Sequence, residues 1–557
     1  MGEPFRGEQA RKVLAACVGD CVHVAGATRF LRVAEDLGQE TYFTGPATDL
    51  ETLIDAVLAF DPDVIGISYR LTPENLRPLL GELRDMLAAA GVKDKRLVFA
   101  GTPPVVAVAR ESGLFEAYFE GGESIAEVRR YLAADAGPDE GPADYPRRVV
   151  DRIRWKAPVP LLRHHYGEPA PTIEPTVRGI TKIAESGALD VISLGADQDA
   201  QEAFFRPYLQ DPKSTGAGGV PFRTENDLRR LYEAAQRGNY PLLRSYSGTA
   251  DHLRYAEMLV RTIDNAWCAT SLFWFNAMDG RGPSPLEQSI QEHIELMAWH
   301  GERDIPVEGN EPYHWGMRDA PDVVVCASSY IYAHVAKRAG VRDYITTYMF
   351  ESPPHLSNAM DLAKCLAQIA LAESFVDEHF RIWRQTRTGL LSYPLGVPQA
   401  RAHLAQSVML QMAVRPHIIH VVGYTEADHA ASADEVIESA QMAGYVAEVA
   451  LRGNPDMTAD PRIQARKEEL IAETHLLLDA IRALRPDLED PLADPATLAR
   501  AVAVGLLDAP QMVNNRFAPG AVRTRNVEGA IWAVDAKGRP IPERDRVAQV
   551  MAHAAEA

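Results

Sequence analysis

The chain has 557 residues, with 57 basic and 77 acidic side chains and a formal charge of −20. That balance argues against nucleic acid or an anionic membrane as a partner, since both demand clustered Lys and Arg. Hydrophobic residues make up 46% and charged residues 24%, which supports a large core, excludes wholesale disorder and, at roughly 150 residues per domain, predicts three or four domains.

No apolar run reaches the roughly 18 residues of a membrane span, and the opening MGEPFRGEQARK lacks the apolar stretch of a signal peptide. The five cysteines, Cys17, Cys21, Cys268, Cys326 and Cys365, are never spaced C-x-x-C. Neither a disulfide framework nor a structural zinc site is expected. A soluble, cytoplasmic protein is expected, with a small-molecule substrate and no nucleic acid or membrane partner; a homodimer is compatible with this reading.

Residues 1–135 alternate short apolar runs with segments of helical period. Strands are expected at Val13–Val18, Thr41–Thr44, Val64–Tyr69, Leu97–Ala100 and Ala117–Phe119, with helices between them. Five such units predict a doubly wound, flavodoxin-like α/β domain with a parallel sheet. Ligands of such sheets bind at the carboxyl ends of the strands, here the loops at Gly19–Gly26, Ser68–Leu71 and Gly101–Pro103. Residues 136–165 begin rich in Pro, Gly and Asp and read as a linker.

From 166 to 455 the alternation returns eight times and predicts a (β/α)₈ barrel. Candidate strands are Val191–Leu194, Leu242–Ser247, Ser271–Asn276, Ile305–Glu308, Val323–Ala327, Tyr344–Phe350, Leu390–Tyr393 and Ile418–Val422. Catalytic groups of a barrel sit at the carboxyl ends of its strands. The candidates there are Arg244, Tyr246, Asn276, Glu308, Asn310, Glu311, His314, Tyr348, His420 and Glu426. Period-two alternation puts Arg244 and Tyr246 on one side of their strand, where Arg244 could clamp a carboxylate bidentately. The competing reading is an internal Arg244–Glu308 ion pair. No H-E-x-x-H motif and no G-x-S-x-G elbow appears. Pyridoxal phosphate is disfavoured, because Lys182, Lys213, Lys337 and Lys364 all fall away from strand ends. Residues 456–557 read as helices at Pro461–Ala483 and Asp494–Val504, then a hairpin over Gly529–Ile541.

The three N-terminal loops resemble the cobalamin-binding domain shared by glutamate mutase, methylmalonyl-CoA mutase and methionine synthase, whose pattern is Asp-x-His-x-x-Gly, Ser-x-Leu, Gly-Gly. His23 and Gly26 match the first motif, Ser68 the second and Gly101 the third. The departures are Cys21 at the Asp position, with Asp20 one residue earlier, Arg70 at the Leu position, with Leu71 next, and Thr102 at the second glycine. The resemblance implies cobalamin, as adenosylcobalamin, bound by these residues, with His23 as the cobalt ligand. Leu507, Asp508, Pro510, Gly520, Arg523, Arg525 and Gly529 resemble the closing C-terminal segment of the glutamate mutase catalytic subunit. Together these features are similar to the adenosylcobalamin-dependent mutases of the glutamate (methylaspartate) mutase type, which implies a radical isomerase whose cofactor domain covers the barrel mouth. Two alternatives stay open: a corrinoid methyltransferase, and a non-catalytic metabolite-binding relative that has lost cobalamin. The mutase's Arg-Gln-Pro-Arg substrate loop is absent from this chain.

Overall fold

A computed structural model describes residues 11–121, 125–133 and 145–556. The opening residues read for a leader and the start of the expected linker, through residue 144, lie outside the described residues. The chain divides into two compact units, Met1–Asp139 and Glu140–Ala557. Among the described residues no helix is long and apolar enough to cross a membrane.

The first unit holds β1 (Lys12–Cys17), β2 (Glu40–Phe43), β3 (Val64–Tyr69), β4 (Arg96–Gly101) and β5 (Ala117–Phe119). All pair in parallel, in the order β2-β1-β3-β4-β5, the flavodoxin-like order, whose switch point lies between β1 and β3. Alternation along β1 explains the layering. Val13, Ala15 and Cys17 pack toward the helices at 25–35 and 125–133, while Leu14 and Ala16 pack toward those at 50–60, 73–89 and 103–112. All five expected strands are present to within two residues at each end.

The second unit is built on an eight-stranded parallel sheet of β6 (Leu161–Tyr166), β7 (Val191–Leu194), β8 (Leu242–Ser245), β9 (Cys268–Thr270), β10 (Val307–Gly309), β11 (Asp343–Phe350), β12 (Arg381–Thr388) and β13 (Ile418–His420). Its order is β8-β7-β6-β13-β12-β11-β10-β9, so chain neighbours are sheet neighbours and β13 returns to β6. The remaining seam, between β8 and β9, is bridged by the Ala266 N–H on the Leu243 carbonyl (2.9 Å) and the Ser247 N–H on the Ala269 carbonyl (3.4 Å). The barrel is nearly closed. A helix at Val149–Lys156 plugs the end where the strands begin, setting Val149, Val150 and Ile153 against Leu161, Val191, Trp267, Ile345 and Ile418.

The expected count of eight strands survives through compensating errors. Val323–Ala327 lies inside a helix, Asp322–Arg338; a helix buried on nearly all sides shows no 3.6-residue period and its VVVCA run mimics a strand. Leu390–Tyr393 is a turn that follows the true strand β12. Ser271–Asn276 is the loop after β9. All but the last residue of β6 falls inside the expected linker, 136–165. The C-terminal hairpin pairs β14 (Thr524–Val527) with β15 (Ala530–Ala533), and its turn is Glu528–Gly529, both at positive φ as a two-residue hairpin turn requires. The expected turn at 535–538 carries one further bridge, Val534 to Pro540.

Candidate functional site

In the first unit a cleft of about 290 Å³ lies between the sheet and the helices at 25–35 and 125–133, at the small end of ligand pockets, roughly 300–1,000 Å³. Its walls are apolar: Ala15, Phe30, Ile67, Val98, Phe119 and Val128. Four expected cofactor residues line it, Gly26, Ser68, Arg70 and Gly101. Gly26 leaves open space, with no heavy atom within 4 Å of where a Cβ would stand. Gly101 has a different reason to be glycine: a Cβ would stand 2.5 Å from the Tyr69 carbonyl and 2.6 Å from Val105.

His23 is exposed on the loop after β1. Its Nδ1 faces the thiol of buried Cys21 at 3.8 Å, and the Cys17 thiol points at its carbonyl at 3.6 Å. So Cys21 itself occupies the place beside the imidazole, while Asp20 is turned to solvent. Burial and neighbouring Cys21 push the Cys17 thiol up to about 11. Leu71 is exposed, and Thr102 stands at the N-terminal cap position of the helix at 103–112 without a side-chain capping bond.

The barrel interior is polar where most barrels are aliphatic. Alternate strands β6, β8, β10 and β12 contribute Arg163, Arg244, Glu308 and Gln385, which meet at one level and are all almost fully buried. Glu308 accepts from Arg163 Nη1 (2.7 Å), Trp267 Nε1 (2.6 Å) and Gln385 Nε2 (2.9 Å). Arg244 Nη2 lies 3.2 Å from the same carboxylate. Despite burial, which alone would raise it, the two guanidiniums and these donors hold the Glu308 carboxyl down to about 2. Burial and the repulsion of Arg244 pull Arg163 down to about 10, so at neutral pH this level has one positive charge in excess. Arg244 Nε and Nη1 find no hydrogen-bond partner among the described residues.

Two residues further along the same strands stand His165, Tyr246, Asn310 and Arg387. Tyr246 stacks on His165 with ring centroids 5.3 Å apart, its hydroxyl 3.1 Å from Nε2, and Arg244 lies over the Tyr246 ring. From β13, His420 turns Nδ1 toward Arg163 Nη2 at 3.1 Å. A guanidinium only donates, so His420 accepts there and carries its proton on Nε2, which has no partner among the described residues. Burial first, then Arg163 and its neighbouring guanidiniums, hold His165 and His420 well below the ordinary imidazole value. Both are neutral at pH 7. Arg387 is buried beside the Tyr313 ring.

The structure thus gathers Arg244, Tyr246, Glu308 and His420, and places Asn310 and His314 nearby as buried polar groups without partners among the described residues. Other expected candidates are engaged elsewhere. Glu311 spends its carboxylate on the Ser271 hydroxyl, the Leu272 and Phe273 N–H groups and Trp315 Nε1. Asn276 braces its own loop through Phe273 and Met278 and ties it to Ser289 on the helix at 286–301. Tyr348 faces outward among Phe350, Leu362 and Ile369, because alternation on β11 turns Ile345 and Thr347 inward. Glu426 pairs with His164 at 3.3 Å, on the outward side of β6. Asp508 clamps the N–H groups of Gly520, Ala521 and Val522, a fold role. Missed from sequence were Arg163, His165, Gln385 and Arg387. The signal was present: LLRHHY and RIWRQTRT place polar residues two apart, the period of one strand face. Among the described residues no His, Cys, Asp and Glu cluster is arranged to hold a metal ion.

No family model matches the chain, and no curated protein does. Among solved structures, the apo, selenomethionine-labelled form of the cobalamin-dependent S-adenosylmethionine radical enzyme OxsB is 10% identical, with a TM-score of 0.17 over 86% of this chain and 69% of that one. OxsB with aqua-cobalamin and S-adenosylmethionine bound is 11% identical, with a TM-score of 0.18 over 88% of this chain and 70% of that one. Superpositions at that level do not align the fold as a whole.

Proposed function

We propose that the chain is a cobalamin-dependent radical enzyme, and within that class an isomerase of the carbon-skeleton mutase kind acting on a small carboxylate. The observation that carries the reading is the cleft of the first unit: its lining includes Ala25 and Gly26, just past the exposed imidazole of His23, and Gly26 leaves its wall bare. These features fit a corrinoid, with His23 reaching cobalt and Gly26 and Ser68 admitting the nucleotide tail. A corrinoid held there by these residues would supply radical chemistry to the reaction. Cys21 orients the imidazole in place of a carboxylate, a weaker support for a metal-bound histidine.

In the barrel, Arg244 offers unused donors to a substrate carboxylate, and Glu308 holds both guanidiniums in position. His420 donates from Nε2, and Tyr246 and His165 offer a neutral hydroxyl–imidazole pair. The surrounding wall keeps water from reactive carbon. The Arg244–Glu308 ion pair foreseen as a competing reading is present, but it leaves Arg244 Nε and Nη1 without an acceptor among the described residues. It therefore supports the clamp as well as the packing.

Incubation with adenosylcobalamin followed by desalting should leave a bound corrinoid with a base-off, histidine-ligated spectrum. After reduction to cobalt(II), electron paramagnetic resonance should show splitting from one histidine nitrogen, and His23→Ala should remove it. Absence of any retained corrinoid would overturn the reading and leave a binding protein without cobalamin.

A further inference from the structure

The cleft of the first unit is sharply amphiphilic. Its depth is walled by aliphatic and aromatic groups, and its polar groups are Arg29, Ser68, Arg70 and Glu120. Glu120 is matched by Arg110 at 3.6 Å. Arg29 and Arg70 are exposed, and neither forms an ion pair with a described residue. They come from different elements, the helix at 25–35 and the loop after β3, and converge on one opening. Arg70 stands where the cobalamin-binding pattern has leucine, so the resemblance does not account for it.

An apolar slot with two unmatched guanidiniums at its lip suits one ligand shape: a flat heterocycle buried in the slot and an anionic phosphate left outside. We infer that Arg29 and Arg70 form a phosphate clamp that selects a heterocyclic nucleotide for this cleft. On the cobalamin reading, which this inference rests on, the ligand is the cofactor's nucleotide tail, and the clamp grips its phosphodiester. The same chemistry would serve a free nucleotide such as a flavin mononucleotide. The clamp makes the chain selective for complete cobalamin over corrinoids that lack the tail. It also adds a charge-dependent component to an otherwise apolar pocket.

The test compares dissociation constants of the full chain for hydroxocobalamin, for tail-less cobinamide and for flavin mononucleotide, in low salt and in 0.5 M NaCl. Arg29→Ala and Arg70→Leu should each weaken cobalamin binding about tenfold in low salt, with the difference shrinking at high salt. Cobinamide binding should change by less than about twofold. Both side chains are exposed, so far-ultraviolet circular dichroism should be unchanged. Equal losses for cobalamin and cobinamide, or no loss for either, overturn the clamp and leave the cobalamin reading standing. Arginine-dependent binding of flavin mononucleotide with no corrinoid bound upholds the clamp and overturns the cobalamin reading. Binding of none of the three overturns both.

Discussion

In the first unit both faces of β1 are apolar, Val13, Ala15 and Cys17 on one side and Leu14 and Ala16 on the other. In the second unit the inward faces of β6, β8, β10 and β12 carry Arg163, Arg244, Glu308 and Gln385 at one level. Both sheets are parallel and wrapped by helices, yet their candidate sites are of different kinds. An open sheet has two dry faces and no interior, so ligand space must be a void left between helix and sheet. A closed barrel has an interior, and polar groups placed there must satisfy one another. The first site is an absence of side chains; the second is an excess of hydrogen-bond donors.

The difference predicts unequal acid lability, the largest effect expected here. Seven barrel-unit histidines are held below the ordinary imidazole value, mainly by burial: His293 at about 3, His300 and His417 at about 4, and His165, His252, His314 and His420 also lowered. The unfolded chain takes up these protons near pH 6.5 and the folded unit does not. Unfolding is therefore favoured as pH falls from about 6.5 toward 4. Glu308 acts in the same direction at lower pH, its contribution present above 4.5 and lost as pH falls through about 2. Glu473, raised to about 7 by burial, opposes them, since its contribution is lost as pH rises through that value. The seven histidines outnumber the groups with raised values that oppose them, Glu473 together with Glu311, Asp361, Asp508 and His429, so the barrel should lose stability as pH falls from 6.5 toward 4. Hydrogen exchange resolved by unit should show the barrel opening before the sheet unit; the reverse order breaks the comparison.

Removing one charge from the barrel level should be the next largest effect. Glu308→Ala leaves Arg163 and Arg244 buried against each other, for which about 3–5 kcal/mol is expected. Glu308→Gln keeps the shape and should cost less. Trp267 donates its indole N–H to Glu308, so tryptophan fluorescence in a denaturant titration reports on this locus. A loss below about 1 kcal/mol for the alanine variant would mean that water or an alternative carboxylate compensates, and Glu308 would not be the group that holds Arg163 and Arg244 in the barrel interior.

The sheet unit was legible from sequence because a parallel sheet covered on both faces writes its strands as apolar runs, and all five runs are strands. The barrel was legible as a class and misread in detail for the same reason its site exists. Strands β6 and β12 carry Arg163, His165, Gln385 and Arg387 toward the interior, so they lack the apolar signature of a buried strand. The helix at Asp322–Arg338 has that signature without being one. At the candidate site the order of Arg244, Tyr246 and Glu308 could be read from strand parity. The fate of Glu311 and Asn276 could not, because their loop partners are set by tertiary contacts.

The smallest effect separates two glycines that look equivalent in sequence, each matching one position of the cobalamin-binding pattern. Gly101→Ala would force a Cβ to within 2.5 Å of the Tyr69 carbonyl oxygen, a backbone atom that cannot step aside; overpacking of this kind costs about 1–3 kcal/mol. Gly26 sits in the first turn of the helix at 25–35 with open space before it and φ outside the left-handed region. Replacing glycine within a helix gains up to about 1 kcal/mol, so Gly26→Leu should leave the sheet unit as stable as before or slightly more so. Its side chain would extend into the cleft and should abolish retention of hydroxocobalamin. The two variants thus pull apart stability and binding within one pattern. If Gly26→Leu retains the corrinoid at undiminished affinity, the space beside Gly26 is not ligand space, and the contrast between a site made of absence and a site made of charge loses its first half.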